Sequence, residues 1–178
     1  MNKILFVLFT LLNTVLFSQL ETLDLKNVIV VSQLDKAEDR FTLEINLAEI
    51  LANHEIKTMA SLNAQKQGAN ILSLGMDSIQ LNIKNKGFDT YMLVCVRGYD
   101  SKFKAATIHN DMRTELGIGH LFPLYRDEIT SITLEFSFYR NGQFVAYDIL
   151  KLGGISSRED VIKKLRKKLP KRIEKYWK

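Results

Sequence analysis

The spacing of apolar residues changes along the chain, and each change marks an element. Val28-Ile29-Val30-Val31 is an unbroken β-branched run, the signature of a strand buried on both faces of a sheet. From Asp39 to His54, Phe41, Ile45, Ala48 and Ala52, with Leu47 and Leu51 beside them, recur at helical spacing. Glu44, Asn46, Glu49 and Asn53 lie between them, which predicts a helix facing the core through that apolar stripe. Ile56 to Leu62 reads as a second strand. A polar loop through Gln65, Gln67 and Gly68 then leads to a helix around Met76, Ile79 and Ile83. Gly87 stops this helix, and its C′ position brings Phe88 back over Ile83 as in a Schellman ending. Tyr91 to Arg97 forms the third strand.

Ser131 to Arg140 alternates polar and apolar residues, Asn141-Gly142 follows, and Gln143 to Lys151 forms a second strand. Asn-Gly asks for a two-residue type I′ turn that pairs Arg140 with Gln143. Counting back sets Phe138 opposite Val145, Phe136 opposite Tyr147 and Leu134 opposite Ile149, an apolar face. The same count places Glu135 opposite Asp148 on the other face. Two like charges there call for a cation, and Arg97 at the end of the third strand is the candidate for this charge cluster. Ser156 with Glu159 makes a capping box for a last helix, about 157–178, whose stripe is Ile162, Leu165 and Leu169. Pro170 should kink or restart that helix. The order is β-α-β-α-β, a long loop, a β-hairpin and a final helix. The class is α/β in the mixed α+β sense, with a mixed sheet and helices mainly on one face.

The N-terminus changes the picture from a domain to an exported domain. Lys3 precedes an apolar run from Ile4 to Phe17, broken only by Thr10, Asn13 and Thr14, and Ser18-Gln19 follows. That is the layout of a secretory signal. As a helix the run spans roughly 21 Å, short of the ~30 Å needed to anchor across a bilayer. Residues 1–18 are read as a signal peptide cut after Ser18, and 19–178 as one α/β domain that is periplasmic or secreted. The ending Leu16-Phe17-Ser18-Gln19 resembles the signal peptides of Bacteroidetes, and no Cys nearby accepts a lipid. Cys95 is the single cysteine, so packing rather than a disulfide must hold the fold, and its place in the run Tyr91 to Val96 makes it a buried small hydrophobe.

With the elements in order, Glu49 to Tyr99 shows a helix, Ile56-Lys57 entering a strand that ends Ala60-Ser61, and a helix closing on Lys86-Gly87. Asp89-Thr90-Tyr91-Met92-Leu93-Val94 follows it. Together with Ser131 to Lys151 this stretch resembles the small α/β domains of bacterial envelope proteins. Among them are the penicillin-binding-protein activators, the curli-secretion lipoprotein family and related families of unknown function. The resemblance implies a non-enzymatic envelope protein. It carries over no functional residues, and the lipid-accepting Cys of many such proteins is absent here.

Candidate chemistry agrees with that implication. No Gly-rich phosphate loop, serine elbow or H-E-x-x-H helix is present, and His109, Asp111 and His120 match no zinc spacing. No catalytic residue, cofactor or metal is therefore expected. The connection from Gly98 to Glu128 is long enough to be functional, and its aromatics Tyr99, Phe103, Phe122 and Tyr125 either form a partner-binding edge or fold back over the sheet. Charge is uneven. Residues 158–178 hold ten basic side chains against three acidic ones, whereas the whole chain carries +5, so the remaining mature chain is acidic. Lys163, Lys164, Arg166, Lys167, Lys168, Lys171, Arg172 and Trp177 are the candidate binding residues, against an ordinary solvated face for the basic side chains and, as the favoured reading of Trp177, packing on the core. The expected function is an interaction module for an envelope partner. The alternative is a peripheral binder of an anionic membrane or lipopolysaccharide surface through the basic C-terminal helix, and the distant third reading is an enzyme of unknown reaction. Neither nucleic acid nor a membrane span after cleavage is expected.

Overall fold

A computed structural model describes residues 22–64, 70–100, 109–119 and 121–178. The expected signal peptide, the Gln65–Gly68 loop, Phe103 and His120 lie outside the described residues. In chain order the elements are β1 (Asn27–Gln33), α1 (Ala37–Ala52), β2 (Lys57–Ala60), α2 (Ser61–Ala64), a 3-10 turn (Ile71–Gly75), α3 (Asp77–Asn85), β3 (Thr90–Tyr99), α4 (Met112–Ile118), β4 (Ser131–Arg140), β5 (Gln143–Gly153), α5 (Arg158–Arg172) and a π-helical turn (Ile173–Trp177).

The strands form one open sheet in the order β2-β1-β3-β4-β5. β1 runs parallel to both β2 and β3, and β3, β4 and β5 are successively antiparallel. From β1 the chain crosses to β2 on one side, then returns past β1 to β3 on the other. Right-handed crossovers in opposite directions put their helices on opposite faces. The long helices α1 and α5 share one face. There Val28, Val30, Met92, Val94, Phe136, Phe138 and Leu150 meet Leu43, Leu47, Leu165, Leu169 and Trp177. The shorter pieces cover Ile29, Val31, Tyr91, Leu93 and Tyr139 on the other face. The unbroken run in β1 is thus buried on both sides, as its composition predicts. α3 closes through Gly87 at φ 80°, with Phe88 N–H donating to the Ile83 carbonyl (3.3 Å) and Gly87 N–H to that of Lys84 (2.8 Å), a Schellman pair.

Three expectations need correcting. α1 faces inward through Leu43, Leu47, Ile50 and Leu51, while Phe41 and Ile45 are 57% and 39% exposed. The cap of α5 is Ser157, which accepts from Asp160 N–H (3.1 Å), one residue later than the expected box. α5 also runs through Pro170 to Arg172 before widening into the π turn.

The largest correction is to the hairpin register. Arg140 pairs with Gln143 and Tyr139 with Phe144, but Phe138 then pairs with Ala146, so Val145 is an extra bulged residue. A one-residue slip moves every later side chain to the other face. Leu134 therefore faces Leu150, Phe136 faces Asp148, and Glu135 faces Ile149. A second irregularity lies between Val96 and Gly98, where Arg97 has no partner opposite it on β4.

Candidate functional site

α5 starts well and is attached from within. Ser157 caps it, and the Asp160 carboxylate accepts from Ser156 N–H (3.1 Å) and Oγ–H (2.6 Å). These bonds, together with nearby Lys164 and Lys163, hold that carboxyl below its ordinary pKa. Glu159 and Asp160 in the first turn and Lys171 and Arg172 in the last suit the helix dipole. Val161, Leu165, Leu169, Ile173 and Trp177 form the buried stripe.

The three arginines of α5 are all paired with acids of α1 or β5, Arg158 and Arg172 from half-buried positions and Arg166 in an exposed pair. Arg158 Nε pairs with Asp39 of α1 at 2.8 Å. Arg166 donates to Asn46 (2.7 Å) and to the Glu49 carboxylate, whose pKa this lowers. Arg172 makes a two-pronged bond to Asp148 of β5, with Nε at 2.7 Å from Oδ2 and the second contact through Nη2. Asp148 is 7% exposed and also accepts the Trp177 indole N–H (3.0 Å) and the Ile149 N–H (2.7 Å). Trp177 is itself 1% exposed, edge-on to Phe138 and tilted against Phe136 at about 5 Å. It is a core residue and not a surface anchor.

The lysines do the opposite. Lys163, Lys167, Lys171 and Lys175 follow one another at i, i+4 and are all exposed. Among the described residues none of the four has an acidic partner within salt-bridge distance. Lys175 lies over the Tyr176 ring at 4.8 Å. Lys168 Nζ donates to the Lys151 carbonyl on the β5 edge (3.1 Å), and Lys164 is half-buried beside Gly154. Of the sequence-selected binding set, Arg166 and Arg172 are paired with acids and Trp177 is buried. Lys163, Lys167 and Lys171 form the outward row, which Lys175 extends.

The expected charge cluster divides in two. Arg97 donates to both Glu135 oxygens (2.8 and 2.7 Å), and Ser137 Oγ–H adds a bond at 2.9 Å. Asp148 is not part of this cluster, because the Val145 bulge turns it to the opposite face, where Arg172 and Trp177 meet it. The pair Asp148–Arg172 escaped sequence reasoning. An Asp at an inward position of β5 is its only local sign, and the bulge hides that position.

Of the described loop aromatics, Tyr99 and Tyr125 are half-buried and Phe122 is 47% exposed. Tyr99 Oη donates to the Pro123 carbonyl, its ring carries Arg126 at 4.3 Å, and Phe122 meets it edge-on at 6.5 Å. Tyr125 Oη donates to the Ser156 carbonyl (2.7 Å). His109 stacks flat on Phe144 at 3.9 Å, and Asp111 caps α4 through Thr114. Cys95 is buried, which pushes its thiol up to about 12. Among the described residues no three His, Cys, Asp or Glu side chains are grouped to hold a metal ion, and no helix is long and apolar enough to cross a membrane.

Fold and site together define an α+β protein with an open five-stranded mixed sheet and an arginine-pinned, lysine-faced C-terminal helix. No protein-family model matches the chain, and no curated protein is similar to it in sequence. Solved structures similar to it include lipoprotein GNA1162 from Neisseria meningitidis, 11% identical with a TM-score of 0.37 over 84% of this chain and 98% of that one. The PelC dodecamer from Paraburkholderia phytofirmans is similar in two crystal forms. One is 12% identical with a TM-score of 0.45 over 90% of this chain and 96% of that one. The other is 11% identical with a TM-score of 0.42 over 84% and 88%.

Proposed function

We propose that this chain is an exported, non-catalytic interaction module of the cell envelope, held to an anionic envelope component by the lysine face of α5. The leader-like N-terminus supports export. The observation that carries the docking role is the row Lys163, Lys167, Lys171 and Lys175, exposed and beyond salt-bridge distance of any acid among the described residues, on a helix whose arginines are all paired with acids of α1 or β5. Along the row each lysine is followed one turn later by another lysine, and the acids one turn away are Glu159 and Asp160 at its start and Glu174 near its end. The long loop is the weaker docking surface, because Tyr99 and Tyr125 spend their hydroxyls on backbone carbonyls.

Sedimentation of the mature protein with isolated envelope fractions tests the reading. At low salt the wild type should co-sediment, release should follow as the Debye length shrinks toward roughly 3 Å near 1 M salt, and the fourfold Lys→Gln variant of the row should stay in solution. Equal retention of the two proteins would refute it. Intact mass of exported protein checks the leader, with a mature N-terminus at Gln19 expected and retention of Met1 counting against it.

A further inference from the structure

We infer that the anionic partner is a linear, phosphate-bearing polymer lying along α5, rather than a bilayer that α5 enters; the inference rests on the docking role just proposed. Entry into a membrane interface needs an outward apolar face on the helix. In α5 and the π turn that face is used up. Val161, Leu165, Leu169 and Ile173 are fully buried, and Trp177 gives its indole N–H to Asp148. The helix cannot offer these residues to lipid without leaving the sheet.

What remains outside is charge, and its shape is a line. Four lysines at i, i+4 spacing stand about 6 Å apart along the axis and cover roughly 18 Å. Arginine is the residue that grips a single phosphate with a fixed fork, and all three arginines of α5 are already paired. Lysines, as mobile point charges, suit a succession of phosphates held in no fixed geometry.

The ground on either side of the row also favours a strand over a plane. On the α1 side, the side chains of Glu38, Glu49, Glu55 and Glu174 are between 52% and 86% exposed, each beside a partner, Arg158, Arg166, Lys178 and His54 in turn. A flat anionic surface resting on α5 brings its charge within a Debye length of these carboxylates, about 8 Å at physiological salt. Of these carboxylates only Glu174, next to Lys175, lies on the same helix and π turn as the row. On the β5 side, Lys168 and Lys151 continue the basic surface.

The test compares linear inorganic polyphosphate with phosphatidylglycerol vesicles at matched total phosphate, using the full mature chain. Polyphosphate should bind at least tenfold more tightly. Its log K should fall with log salt at a slope of about −3, since four lysines each displace roughly 0.7 counterion from a single-stranded polyanion. The Lys163, Lys167, Lys171 and Lys175→Gln variant should lose most of that slope, and the same four positions changed to Arg should keep it, which excludes misfolding as the cause. Vesicle binding as tight as polyphosphate binding, or an unchanged slope in the Gln variant, overturns the inference. If envelope sedimentation still depends on the four lysines in that case, only the polymer is wrong. If sedimentation is also unchanged, the docking role falls with it.

Discussion

Removing Arg97 isolates one carboxylate, and the cost follows from where that carboxylate sits. The Glu135 side chain is 1% exposed and the Arg97 side chain 16%, and two N–H···O bonds of 2.7–2.8 Å join them. Arg97→Ala leaves Glu135 with Ser137 as its remaining side-chain donor. Breaking one partner out of a buried pair costs about 3–5 kcal/mol. At roughly 2–4 °C per kcal/mol for a chain of this size, the melting midpoint should fall by on the order of 10 °C. Glu135→Gln in the Arg97→Ala background should recover most of the loss, because no charge is then left uncompensated. The parallel cycle of Asp148→Asn with Arg172→Met should also be coupled, but more weakly, about 2 kcal/mol, because the Arg172 side chain is 31% exposed and can return to water. Arg97→Ala combined with Asp148→Asn should be additive to about 0.5 kcal/mol, since the two sites lie on opposite faces of the sheet. Thermal and urea denaturation of these proteins decides the matter. Coupling between Arg97 and Asp148, or additivity between Arg97 and Glu135, would refute the bulged register.

Three further predictions concern single groups. Burial is the main cause raising the Glu44 pKa, against bonds from Ser32, Ser61 and Leu62. The native state then holds the proton more tightly than the unfolded state. Stability relative to Glu44→Gln should therefore be fully present below pH 4.5 and be lost as pH rises from there through the raised folded value; urea midpoints that rise with pH instead would contradict this. Cys95, with its thiol near 12, should resist iodoacetamide in the folded protein and react in urea, as intact mass would show; fast labelling of the native chain would refute its burial. Gly142→Ala should cost about 1 kcal/mol by urea denaturation, because the residue sits at φ 78° after Asn141 at φ 52°, whereas an unchanged midpoint would argue against the type I′ turn.

Much of the backbone was legible because local rules decide it. The Asn-Gly turn sets the hairpin, Gly87 ends α3, and a β-branched run marks the interior strand β1. What failed was every inference that crossed a bulge. Counting by twos from Asn141 assumes an uninterrupted ladder, and the extra Val145 reverses the sides of Asp148 and Ile149. α1 offered two apolar stripes, and the wrong one was chosen because Asp39 and Glu44 interrupt the stripe that faces the core. Both carboxylates are buried, but their partners Arg158, Ser32 and Ser61 lie elsewhere in the chain. The basic helix was recognised by its charge sum, which treats Lys and Arg alike. Only the fold separates them, since the acids that bind the arginines lie on α1 and β5.

The N-terminal segment ends up beside the last turn of the chain. Leu23 N–H donates to the Tyr176 carbonyl (3.0 Å) and Leu25 N–H to that of Trp177 (2.7 Å), and Leu25 lies in the same core as Trp177. Both bonds join residues more than 150 positions apart, so they close only after nearly the whole polypeptide is present. Contacts of such separation make folding slow. The segment around Leu23 and Leu25 therefore has no stable place to dock until the C-terminus has been made.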